Sequence, residues 1–256
     1  MILIDTLSYT SRLRQVNPGE KFAFSMLTLI FCIVSRSLAV AGVVLTATGF
    51  LTVRRGGIPL SRYLDLLRIP AFFLLLCSAA VMVNLSRTPL NAFALPIGSW
   101  YLTGSEEGIL AGFRLALTAL SAVSCLYFLA LSTPSPDLLH LGKKLHVPDL
   151  ILELMLLIYR YLFLLLFAAS AVTTAQESRL GNHNLRASLR SFSQMAGTVF
   201  LLALRRSSAL YDAMESRCYD GEIRVLSLPR RAKPGEVALI FCFELFLLAL
   251  TLAARH

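Results

Sequence analysis

Chemistry at a site needs particular side chains at particular spacings, and in this sequence most such groupings are missing. Cys32, Cys77, Cys125 and Cys242 sit singly in apolar runs and Cys218 stands alone in a polar one, with no Cys-x-x-Cys pair. They read as small buried hydrophobes rather than as a disulfide framework. His140, His146, His183 and His256 are equally scattered, and no His or Cys pair has ligand spacing on one helix face, so no metal site is expected in this chain. A membrane transferase of polyprenyl or CDP-alcohol type needs clustered aspartates to hold Mg²⁺ at a diphosphate. Asp5, Asp65, Asp137, Asp149, Asp212 and Asp220 form no such cluster. There is no Ser-His-Asp elbow, and no Gly-x-x-x-x-Gly-Lys-Ser/Thr loop, so any ATP chemistry belongs to another chain. The chain is expected to be no enzyme.

What does recur is an arginine at a helix end. Ala175-Gln176-Glu177-Ser178-Arg179-Leu180-Gly181 and Ala213-Met214-Glu215-Ser216-Arg217-Cys218-Tyr219-Asp220-Gly221 each carry Ala-x-Glu-Ser-Arg and then a helix stop, with Gly181 and Asp220-Gly221 as the expected stops. An arginine there is favoured by the helix dipole, and its planar fork can reach a carboxylate on a partner. Ordinary charge capping explains either copy alone; two copies at matching positions on successive helices favour docking. Glu177 and Glu215, two residues before the arginines, orient or cap the motif or simply solvate it. Arg160 lies inside an apolar run and is expected to snorkel, or to bind Glu153 or a neighbouring carbonyl, in a structural role.

The elements that position these residues follow from hydropathy. Of 256 residues 56% are hydrophobic and 15% charged, with a mean hydropathy of +0.69, too apolar for a soluble domain of this length. Continuous rather than alternating apolar runs argue for helices and against a barrel. Phe22 to Val34, Leu38 to Val53, Ile69 to Leu85 and Ile109 to Leu131 read as four early spans, and Val237 to Ala254 as a last one. Ser35, Arg36 and Ser37 read as a tight turn, Leu60 to Leu67 as an amphipathic stretch, and Ser86 to Gly108 as a loop whose Trp100 and Tyr101 suit the membrane interface. The first twenty residues have no apolar core and no cleavage site, so they are not expected to be a signal peptide.

Between the fourth and last spans lies a long basic insertion. A short amphipathic helix is expected through Leu138 to Leu145, ended by Pro148. A second, capped by Asp149, continues to about Arg179 and includes a run apolar enough to span a membrane; a third runs from near Leu185 to about Arg217. On the third, Phe192, Ala196, Val199, Ala203, Leu210 and Ala213 define one apolar seam, and the two long helices are expected to pack seam to seam. Of 24 lysines and arginines, only Arg36, Arg87 and Arg255 fall on the side opposite the N-terminus, and Arg114 lies within a span. The positive-inside rule then places the N-terminus and the insertion in the cytoplasm and, with five spans, the C-terminus outside. The net charge of +9 calls for anionic lipid or an acidic protein partner rather than nucleic acid.

At these residues the chain resembles the transmembrane coupling component of energy-coupling factor importers, of the cobalt-type CbiQ family. Asn17-Pro18-Gly19-Glu20-Lys21, Thr133-Pro134, Tyr159-Arg160-Tyr161 and both arginine motifs carry the resemblance, which covers essentially the whole chain. It implies an all-α polytopic membrane protein with about five transmembrane helices and a cytoplasmic coupling module of one short and two long helices, divided as residues 1–131, 132–235 and 236–256. It implies that Ser178-Arg179-Leu180 and Ser216-Arg217-Cys218 are X-Arg-X motifs that dock into two ATPase subunits, which bind the ATP and Mg²⁺. Family members often have Ala-Arg-Gly at these motifs, so the arginines match and the flanks differ. The other implied partners are a membrane substrate-capture subunit and a small accessory membrane subunit, with cobalt or nickel as cargo. A self-sufficient ion permease is the alternative, kept open by Glu244 in the last span.

Overall fold

The computed structural model describes residues 3–35, 37–82, 84–86, 93–97, 100–104, 106–221, 223 and 234–253. Arg36, Arg87 and Arg255, and the side chains of Trp100 and Tyr101, lie outside what is described. The chain forms two compact units, one of residues 2–134 and 229–256 and the other of residues 135–228.

The first unit is a helical bundle. Helix α1 (Leu3–Thr10) precedes a 3₁₀ turn, then α2 (Pro18–Ser35), α3 (Leu38–Phe50) with a π-helical extension over Leu51–Arg55, α4 (Leu60–Met82), α5 (Glu106–Ser132) and α9 (Pro234–Ala253). The expected loop before α5 contains a small antiparallel sheet, β1 (Asn84–Ser86), β2 (Phe93–Ile97) and β3 (Trp100–Gly104), in the order β1-β3-β2 with Leu102 opposite both Leu85 and Leu95. The amphipathic stretch and the third span of the sequence reading are one continuous helix, α4, despite Pro70 within it. Proline lacks the N–H that would bond the carbonyl four residues earlier. That carbonyl, on Leu66, instead accepts the Tyr127 hydroxyl of α5 at 3.2 Å, a substitution of side chain for backbone that lets a membrane helix continue through proline.

Helix α5 is the centre of the bundle. The core gathers Cys32, Val40, Ala41, Val44, Cys125 and Leu247, and a second cluster holds Leu7, Ile58, Tyr63, Leu67 and Leu131. Short polar side chains stitch neighbours to α5: Ser25 Oγ donates to the Cys125 carbonyl at 2.9 Å and Ser121 Oγ to that of Ala41 at 2.7 Å, while Ser124 Oγ lies 2.5 Å from Thr48 Oγ1 and 2.7 Å from the Tyr63 hydroxyl. Apolar packing between helices gains little over contact with lipid, so close approach and such hydrogen bonds carry more of the association. Close approach is visible at Gly112, where a Cβ would lie 2.7 Å from Met82 Cγ. The outward faces are apolar, with Ile69 78% and Phe72 72% exposed, as lipid-facing surfaces must be.

The second unit consists of α6 (Ser135–Lys144), α7 (Asp149–Glu177) and α8 (Leu185–Glu215), the one short and two long helices expected. Pro148, not Asp149, occupies the N-cap of α7, and Asp149 is the first helical residue, 3.4 Å from Lys143 of α6. Among the described residues six helices are long and apolar enough to cross a membrane: α2, α3 with its extension, α4, α5, α7 and α9. The sixth, beyond the five expected, is α7, which clusters with α6 and α8 rather than with the bundle.

Candidate functional site

Both arginine motifs have the same backbone. In α7, Ser178 N–H donates to the Thr174 carbonyl (3.1 Å), Arg179 N–H to Gln176 (3.1 Å), Leu180 N–H to Glu177 (3.0 Å) and Gly181 N–H back to Gln176 (2.8 Å). In α8 the corresponding bonds run from Ser216 to Asp212 (3.0 Å), Arg217 to Met214 (3.1 Å), Cys218 to Glu215 (3.0 Å) and Tyr219 to Met214 (3.1 Å). Each serine hydroxyl also returns to the carbonyl three residues back, Ser178 to Ala175 at 2.9 Å and Ser216 to Ala213 at 3.0 Å. The turn of chain after the last helical residue is left-handed in both, at Leu180 (φ 59°) and Cys218 (φ 58°). This is the Schellman arrangement, in which the residue after the left-handed one satisfies an orphan carbonyl.

The stops therefore differ from those expected. The left-handed residue is Leu180 rather than Gly181, and Cys218 rather than Gly221, although Gly221 also has a positive φ of 92° beyond the end of α8. Left-handed geometry costs a residue with a Cβ about 1–2 kcal/mol, a cost met here by the carbonyls that the turn satisfies. Gly181 is needed for a different reason: a Cβ there would lie 2.8 Å from both the Gln176 carbonyl oxygen and Ser191 Oγ. Arg179, Arg217, Glu177 and Glu215 are all exposed, and among the described residues neither arginine pairs with a carboxylate of its own chain.

The two tips are held at opposite ends of an antiparallel helix pair. At the α7 end, Gln176 Nε2 donates to the Ser191 carbonyl and Ser191 Oγ to the Gly181 carbonyl, both at 2.9 Å. At the α8 end, the Tyr219 hydroxyl donates to Glu153 Oε2 at 2.8 Å and Ile223 N–H to Oε1 at 2.6 Å. Glu153, buried on the second turn of α7, thus has both oxygens engaged, and its hydrogen bond holds the Tyr219 hydroxyl above its ordinary pKa. Of the placements expected for Arg160, the one on Glu153 is taken by these bonds, and Arg160 is exposed. From Glu153 to Gln176 along α7, at about 1.5 Å per residue, the tips are separated by about 35 Å.

Ser191 also decides which face of α8 turns inward. It is the buried residue of α8, and positions in phase with it, Met195, Val199, Leu202, Leu210 and Met214, are half-buried. The seam is rotated from the expected one: Val199, Ala203 and Leu210 are shared, but Phe192 is 63% exposed and Ala196 and Ala213 are exposed as well. Apolar periodicity alone could not fix the phase, because polar Ser191 sets it.

In the bundle, Glu244 of α9 is buried, with Oε1 2.7 Å from Thr28 Oγ1 of α2. Among the described residues no group of three or more His, Cys, Asp or Glu side chains could hold a metal ion.

A family model described as cobalt transport protein, CbiQ, matches residues 10–226. The chain belongs to the CbiQ family. The cobalt transport protein CbiQ of Salmonella typhimurium is 29% identical over 223 residues, covering 87% of this chain and 99% of that protein. An uncharacterized protein of Methanocaldococcus jannaschii is 30% identical over 97% of this chain and 92% of its own length. A putative fused cobalt transport protein CbiMQ of Methanocorpusculum labreanum is 31% identical over 96% of this chain, which corresponds to 43% of the fused protein. The match to the CbiQ model includes both arginine motifs and ends at residue 226, before α9. In this CbiQ-family chain, sequence reasoning singled out the arginines but not Glu153, Gln176 or Ser191 as their anchors. Tyr219 was legible only as part of the Ala-Met-Glu-Ser-Arg-Cys-Tyr run.

Proposed function

We propose that this chain is the transmembrane coupling subunit of an ATP-driven metal-ion importer of the energy-coupling factor type, with cobalt as cargo and nickel as the close alternative. The observation that carries the reading is the pair of arginine-tipped helix ends with matching backbone hydrogen bonds, Ser178-Arg179-Leu180 and Ser216-Arg217-Cys218, set at opposite ends of one antiparallel pair. One tip on each side suits two copies of one ATPase, each receiving a guanidinium in a groove with an acidic or carbonyl lining. ATP and Mg²⁺ belong to those subunits. Family membership and the fused CbiMQ relative support a membrane substrate-capture subunit as a further partner, with a small accessory membrane subunit beside it. The N-terminus and α6 to α8 face the cytoplasm, where the ATPases are.

The mechanism follows from the two anchored ends. Closure of the ATPases on ATP pulls on Arg179 and Arg217, and because each tip is tied to the start of the opposite long helix, the pull moves α7 and α8 as a pair. That motion is passed to the bundle and the capture subunit. Glu177 and Glu215 keep their arginines oriented. The experiment is co-expression with the ATPase and capture subunits: Arg179→Ala combined with Arg217→Ala is expected to abolish ATPase co-purification and ion uptake while the chain still inserts in the membrane. Unchanged uptake by the double variant overturns the docking role, and ion uptake by the chain alone establishes a permease instead.

A further inference from the structure

The two arginine tips are tethered by unlike means. After the first, the tether is two neutral hydrogen bonds and a tight fit: Gln176 Nε2 donates to the Ser191 carbonyl, Ser191 Oγ donates to the Gly181 carbonyl, and Gly181 has no room for a Cβ. After the second, it is a clasp on one carboxylate. Tyr219, two residues past Arg217, uses its N–H to close the end of α8 on the Met214 carbonyl and its hydroxyl to reach Glu153 at 2.8 Å. Ile223 N–H takes the other carboxylate oxygen at 2.6 Å. Glu153 therefore grips the chain on the far side of the Arg217 tip at two points four residues apart, from a buried position 64 residues away in sequence from that arginine.

From this geometry we infer that Glu153 and Tyr219 are positioning residues that set the direction in which Arg217 is presented, and that the second tip, unlike the first, is held through a single carboxylate. The inference rests on the docking reading for its consequence, although the clasp itself does not. A carboxylate is a strong acceptor, and a hydrogen bond to a charged group contributes about twice what a neutral one does. Without the hydroxyl, the segment after Arg217 keeps its helix stop, since the Tyr219 N–H is untouched, but is held to Glu153 of α7 through the Ile223 N–H alone.

Two measurements on the full-length chain separate the clasp from the docking. In the purified chain without partners, Tyr219→Phe is expected to raise trypsin cleavage after Arg217 by about tenfold, the factor for losing one charge-assisted hydrogen bond, and to leave cleavage after Arg179 unchanged. Glu153→Ala does the same, and Glu153→Gln, which keeps an acceptor, restores most of the protection. Equal cleavage in wild type and Tyr219→Phe overturns the clasp. In the complex with the ATPase subunits, Tyr219→Phe is expected to weaken ATPase retention about tenfold, but to add nothing when Arg217→Ala is already present. A further loss in that background shows that Tyr219 acts elsewhere than on Arg217 and overturns the positioning role. If Arg217→Ala itself leaves retention intact, the docking reading fails while the cleavage result still stands for the clasp.

Discussion

The membrane bundle and the α6–α8 unit solve the same problem, holding long apolar helices together, in opposite ways. In the bundle the hydrogen bonds lie deep between helices: Lys21 Nζ, buried, donates to the carbonyls of Leu13 at 3.0 Å and Ser132 at 2.8 Å, and Ser25, Ser121 and Ser124 bridge α2, α3 and α4 to α5. In the second unit, the hydrogen bonds that join α7 to α8 and to the segment after it lie at the two ends among the described residues, with a half-buried apolar seam between. Interior bonds fix relative position along a whole helix. Bonds at the ends fix where the tips are and leave the middle of the shafts to weaker, non-directional contacts. That suits the docking role proposed for the tips, in which they hold a partner and the shafts transmit its motion.

The largest effect should come from the bundle. Lys21→Met leaves the buried Ser132 carbonyl without its lysine donor and the Leu13 carbonyl with the Val16 N–H alone, and is expected to destabilise the chain by about 3 kcal/mol, at about 1.5–3 kcal/mol for each hydrogen bond from a charged group, measured by thermal or denaturant unfolding in detergent. A loss of well under about 1 kcal/mol would show that the bundle is held by packing alone, and the contrast between the units would disappear. Gly181→Ala should act on the other unit only. Its new Cβ meets the Gln176 carbonyl and Ser191 Oγ at 2.8 Å, an overpacking expected to cost about 1–3 kcal/mol. Hydrogen exchange should quicken around residues 176–191 and stay unchanged in α2 and α5. The smallest effect has the opposite sign. Leu180→Gly and Cys218→Gly remove the left-handed strain of both tips at some entropic cost, so each tip should gain up to about 1 kcal/mol, read as slower exchange at the Gly181 and Tyr219 amides. Faster exchange would mean that the side chains at these positions, rather than the turn, hold the tips.

Much of the molecule was legible before any coordinates. Helix positions follow from apolar runs and their breakers, so α2, α5, α8 and α9 lie within a few residues of the expected segments. The arginine motifs could be found as a repeated string, since repetition is a property of sequence alone. Local signals misled where a distant residue replaced a local partner. Leu60 to Leu67 and the span from Ile69 read as separate segments, yet α4 runs through both, and Tyr127 from α5 takes the carbonyl that Pro70 frees. Glycine reads as the natural stop, yet Leu180 and Cys218 adopt the left-handed turn.

The sequence by itself thus determined the class of the protein, its membrane helices and its two arginine ends, because hydropathy, breakers and a repeated motif are carried by neighbouring residues. Tertiary structure alone decided what anchors those ends. The bonds from Glu153 to Tyr219 and Ile223 and from Ser191 to Gln176 and Gly181 join residues 10 to 70 positions apart. No periodicity or spacing rule reaches across such a distance until two long helices fold back on each other and bring their opposite ends into register.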